Sequence, residues 1–121
     1  MKHQIDVYLN KIDKLKLYEE NWNGYGSEAP HISTIELAKF YLLKIYKYTD
    51  IQNLVVLPSP DGGTVISVLR GNLEILFEFL NEDDPKLVIV DKDEWISIYD
   101  LNEVDDDFIK ELVAEKGGTH E

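Results

Sequence analysis

Few residues in this chain have the types and spacing that chemistry needs. Gly24-Tyr25-Gly26 resembles a fragment of a dinucleotide fingerprint, in which glycines let backbone approach a pyrophosphate. Here it follows a helical pattern instead of a strand, and the third glycine is missing. Asp61-Gly62-Gly63 could line a phosphate site if a helix followed, but the next residues are strand-like. Asp91-Lys92-Asp93-Glu94 begins like a calcium loop. Ile96 stands where that loop needs its sixth-position glycine, and Asn102 where it needs its twelfth-position glutamate. His3, His31 and His120 are scattered, without the His-x-x-x-His spacing of a zinc helix. Ser27, Ser33, Ser59, Ser67 and Ser97 lie in no Gly-x-Ser-x-Gly elbow. With 24 carboxylates in the chain, no pair stands out as a glycosidase acid and base. No catalytic residue, cofactor or metal is therefore expected.

Both glycine-rich segments have a structural reading. Trp22 and Tyr25 would pin an interhelix loop onto the core, with Gly24 and Gly26 allowing tight backbone. Pro60, Asp61, Gly62 and Gly63 form a strong turn signal, read as a bulged hairpin turn.

The elements around these motifs are well marked. Ile5, Tyr8, Leu9, Ile12, Leu15 and Tyr18 recur at helical spacing and predict an amphipathic helix over 2–20. Residues 21–32 read as a loop. Ser33 and Glu36 fit a capping box that opens a second helix to about Tyr48. Ile35, Ala38, Leu42 and Ile45 make its main stripe, and further apolar residues surround it.

From residue 53 the period becomes two. Strands are predicted over 54–57, 64–70, 73–80, 86–90 and 95–99, the second and third joined by a type II′ turn at Gly71-Asn72. That turn sets Ile66 opposite Phe77 and Val68 opposite Ile75 on the core face. Glu74, Glu78 and Ser67 point outward with Val65, Leu69 and Leu76. A last helix starts near Asp105–Asp107 and ends at Gly117-Gly118, and 117–121 reads as a disordered tail. The expected fold is α+β: one domain over 1–116, order ααβββββα, with an antiparallel five-stranded meander.

Size and charge limit function further. At 121 residues the chain can bury a core without disulfides, and it has no cysteine. That suits the cytoplasm, as does an N-terminus without an apolar signal core. Twelve basic residues against 24 acidic leave a net charge of −12. This disfavours direct binding to nucleic acid and to anionic membranes, and it suits a basic protein partner. A homo-oligomer is also compatible.

Two stretches, Glu20-Asn21-Trp22-Asn23-Gly24-Tyr25-Gly26-Ser27-Glu28-Ala29-Pro30 and Leu57-Pro58-Ser59-Pro60-Asp61-Gly62-Gly63, resemble a group of small bacterial proteins of unassigned activity. Members carry a Trp-(Asp/Asn)-Gly loop after a first helix and, about thirty residues on, a Pro-Asp-Gly-Gly turn. The resemblance covers residues 20–80. The group's link to mobile or defence-related gene neighbourhoods implies an antitoxin, immunity or inhibitor role. The leading expectation is a non-catalytic protein-binding module, with Tyr41, Tyr46, Tyr48, Leu69 and Leu76 as candidate partner contacts. The alternatives are a ligand-binding or enzymatic site between the Trp22–Ser27 loop and the sheet, and an acidic DNA-mimic inhibitor.

Overall fold

The computed structural model describes residues 2–92 and 95–114. Helix α1 spans Lys2–Asp13 and tightens into a 3-10 turn over Lys14–Leu17. Helix α2 spans Ile32–Tyr46. Five strands follow: β1 Leu54–Pro58, β2 Gly63–Arg70, β3 Leu73–Leu80, β4 Lys86–Asp91 and β5 Trp95–Asp100. Helix α3 spans Asp106–Val113. The sheet is antiparallel throughout, in the order β1-β2-β3-β4-β5. This is the expected α+β meander. The predicted tail over 117–121, with the helix stop at Gly117-Gly118, lies outside the described residues.

The register follows from the β2–β3 turn. Gly71 has a φ of 61°, while Asn72 is not left-handed, as a type II′ turn requires. Ile66 then faces Phe77 and Val68 faces Ile75, all four fully buried. The same parity runs through Leu54, Val56, Leu87 and Ile89, so one sheet face is a continuous apolar layer.

All three helices cover that face. Ile5, Ile12 and Leu15 from the first helix and its 3-10 turn, Ile35, Ala38, Leu42 and Ile45 from α2, and Ile109 and Val113 from α3 join the strands in one core cluster. Polar ties fix the layer at its rim. Lys39 Nζ donates to Asp13 Oδ1 and Lys44 Nζ to Asp106 Oδ1, both at 2.8 Å. Arg70 Nη1 donates to the Leu112 carbonyl at 2.8 Å, satisfying an orphan acceptor at the end of α3. Asp105 caps the start of α3 by accepting from the Phe108 N–H at 2.9 Å.

Two local expectations change. The Ser33–Glu36 capping box does not form. Helix α2 starts one residue before Ser33, with His31 at its N-cap and no side-chain cap. The His31 N–H instead donates to Asn81 Oδ1 at 2.8 Å, a contact fifty residues away. Trp22 is half-exposed: its ring meets Tyr18 edge-on at 4.9 Å, and its indole N–H donates to the Glu28 carbonyl at 2.9 Å.

Candidate functional site

The two motifs singled out in the sequence meet in space. The Glu28 N–H donates to the Pro60 carbonyl at 2.9 Å, joining the interhelix loop to the β1–β2 turn. Asn81, at the end of β3, locks both. Its Nδ2 donates to the Ala29 carbonyl at 2.8 Å, its Oδ1 accepts from His31, and its own N–H donates to the Gly62 carbonyl at 2.9 Å. Gly62 and Gly63 have φ of 88° and 122°. A Cβ on Gly63 would collide with the Phe79 carbonyl, and one on Gly62 with the Asn81 amide. These glycines are there for close backbone approach. Nothing in the sequence marked Asn81, which reads as the start of an acidic turn.

The side-chain oxygens of Asn21, Asn23 and Ser27 are spent on the loop itself. Asn21 Oδ1 accepts from the Gly26 N–H at 2.7 Å, Asn23 Oδ1 from Tyr25 at 2.8 Å, and Ser27 Oγ from Asn23 at 3.1 Å. Gly24 and Gly26, both left-handed, hold Tyr25 out at 91% exposure, so it does not pin the loop to the core as expected. A shallow groove beside the loop is lined by Leu17, Tyr18, Glu19 and Trp22.

The five candidate contacts fall on opposite sides of the sheet. Tyr41, Tyr46 and Tyr48 pack beside the core cluster within the helix layer, Tyr41 with its ring 5.5 Å from that of Phe79. Leu69 and Leu76 lie on the outer sheet face, which has no covering layer among the described residues. The five therefore do not form one surface. A helix as apolar as α2 partly buries Tyr41 and Tyr46 alongside its main stripe and leaves Leu37, Phe40 and Leu43 more exposed.

The outer sheet face is larger than the β2–β3 hairpin alone implies. The register sets Val55, Ser67, Leu76, Val88 and Ile98 in one row across all five strands. The row on one side is Leu57, Val65, Glu78, Lys86 and Asp100, and on the other Leu69, Glu74, Val90 and Ile96. Ile96 and Ile98 are 63% and 64% exposed, far more than strand residues beneath a second layer. Strand spacing and rise give the face about 24 by 20 Å, roughly 480 Å² in projection. Apolar side chains take up most of that face, interrupted by Ser67, Glu74, Glu78, Lys86 and Asp100, and exposed apolar patches of this kind are often functional on monomers.

The face also has a charge pattern. Glu74 and Glu78 sit on the central strand, with apolar residues on the strands either side. Ser67 Oγ donates to Glu74 Oε2 at 3.0 Å, which leaves the other carboxylate oxygen for a partner. Lys86 lies across from Glu78. Val55, Leu57, Val88, Val90, Ile96 and Ile98 were not among the candidate contacts. Their signal was the period of two in 54–57, 86–90 and 95–99, read through the hairpin register.

Shifted ionisations lie elsewhere, on the helix layer. A hydrogen bond from Lys39 holds the Asp13 carboxyl below its ordinary range, and one to Glu36 holds the Lys16 ammonium above its own. No group of three or more His, Asp or Glu side chains placed to hold a metal occurs among the described residues, and no described helix is long and apolar enough to cross a membrane. The chain matches no protein-family model, no curated protein and no solved structure.

Proposed function

We propose that this chain is a non-catalytic protein-binding module that docks a basic partner on the outer face of its sheet. The observation that carries this reading is the uncovered face itself, apolar on its flanks and acidic along the central strand. A sheet with two apolar faces is stable when both are covered, and among the described residues only one is covered. The flanks would bury against apolar partner side chains, and Glu74 and Glu78 would receive Lys or Arg. A net charge of −12 would speed encounter with such a partner. The resemblance of the two loops to proteins of mobile and defence-related gene neighbourhoods supports an antitoxin-, immunity- or inhibitor-like role in a bacterial cytoplasm.

The alternatives have less support. A ligand site at the Trp22–Ser27 loop would need free acceptors, and the side-chain oxygens of Asn21, Asn23 and Ser27 are engaged within the loop. A DNA mimic would present carboxylates in place of the apolar side chains that dominate the outer face.

The test is affinity capture from a bacterial lysate with two outer-face variants, Leu69→Lys and Glu78→Lys. Both sites lie outside the core, so Leu69→Lys should leave melting unchanged, while Glu78→Lys sets a second lysine opposite Lys86 and should lower it slightly. Each should weaken capture of the partner by about tenfold or more, the scale of a central interface contact. Equal capture by wild type and both variants would remove the outer face as the docking surface.

A further inference from the structure

We propose that β5 pairs with β5 of a second copy of this chain, antiparallel about a twofold axis centred on Ser97, giving a continuous ten-stranded sheet. The observation is independent of the basic partner. Among the described residues β5 hydrogen-bonds only to β4, so its far edge presents unpaired N–H and C=O groups. Residues 96–99, Ile-Ser-Ile-Tyr, contain no proline, lysine or glycine to guard that edge. The opposite edge is guarded. Strand β1 ends in Pro58, which has no N–H, and the Tyr8 hydroxyl already donates to the Leu54 carbonyl at 3.2 Å.

The twofold selects the register. Residues directly opposite in an antiparallel pair share a face, so the numbers of paired residues must sum to an even value. Centring on Ile98 would set Ile96 opposite Asp100, an apolar side chain against a carboxylate. Centring on Ile96 would pair only residues 95–97 of each strand and leave Ile98 without an opposite. Centring on Ser97 gives two Ile96–Ile98 pairs on the outer face, and aromatic or β-branched cross-strand pairs of this kind stabilise antiparallel strands. Two copies of net charge −12 repel each other, and salt screens that repulsion. The dimer would join two outer faces edge to edge and double the docking surface.

The test uses the full chain. Sedimentation equilibrium should show a monomer–dimer equilibrium that shifts toward dimer as salt rises. The double variant Ile96→Lys/Ile98→Lys, with both sites exposed, should weaken association at least about tenfold, as charged edge residues do. The chain has no cysteine, so single cysteines report register directly. Opposed Cα atoms at about 4.5–5.5 Å fit a disulfide. Ser97→Cys should therefore cross-link faster than Ile96→Cys or Ile98→Cys, and all should be compared with the exposed control Gln52→Cys. If the lysine variant fails to fold, the cysteine series decides alone. A wild type monomeric at every concentration and salt, or cross-linking at Ser97 no faster than at residue 52, would overturn the pairing. Faster cross-linking at 96 or 98 would overturn the register.

Discussion

Replacing Asn81 by alanine tests how the two loop motifs are held. Asn81 is buried and bonds with its side chain to the Ala29 carbonyl and the His31 N–H, both at 2.8 Å. Each bond contributes about 1 kcal/mol net, and an unpaired buried group left behind costs about 1–3 kcal/mol. The His31 N–H lies at the start of α2 beside an exposed side chain, where water can replace its partner. The Ala29 carbonyl is less open. The expected loss is therefore about 2–3 kcal/mol. At about 4 °C per kcal/mol for a domain of this size, melting should fall by about 8–12 °C.

Asn81→Asp separates the two bonds. It keeps the acceptor for His31 but sets a carboxylate oxygen against the Ala29 carbonyl, so at neutral pH it should recover little of the loss. Urea unfolding and calorimetry on wild type and both variants give the comparison. A loss below about 0.5 kcal/mol for Asn81→Ala, the level of an ordinary surface change, would refute the clasp.

Two further outcomes follow from the same structure. Gly63→Ala should lose about 1–3 kcal/mol from its left-handed backbone alone, and more from the collision with the Phe79 carbonyl, read by urea unfolding. Because Lys39 depresses the Asp13 carboxyl, that contact stabilises the fold above the ordinary carboxylate range and is lost as pH falls through the lowered value. Asp13→Asn should therefore be less stable than wild type at pH 7, by no more than about 1 kcal/mol for so exposed a pair, and the gap should close at strongly acidic pH in paired melts.

The hairpin was legible in the sequence because a two-residue turn fixes register locally, and one register then assigns every side chain of β2 and β3 to a face. Extending the same parity through Val55, Val88, Ile96 and Ile98 needs the neighbouring strand registers, which come from the folded sheet. The start of α2 shows the opposite case. Ser33 and Glu36 have the local pattern of a cap, but Asn81 reaches back from the end of β3 and holds His31 at the helix start. Long-range contacts of this kind leave no periodic signal. The tyrosines of α2 fall between the two: their apolar character was readable, while the side of the helix that would bury them depended on where α2 meets Phe79.

The most direct test of the outer face as docking surface is hydroxyl-radical footprinting of the chain, free and with its captured partner. Protection should concentrate on Leu57, Leu69, Leu76 and Val88, spread across four strands of the face. It should leave Tyr25 and the α2 residues Phe40 and Leu43 unchanged. Protection of Tyr25 or of Phe40 and Leu43, with the sheet residues still reactive, would contradict the account.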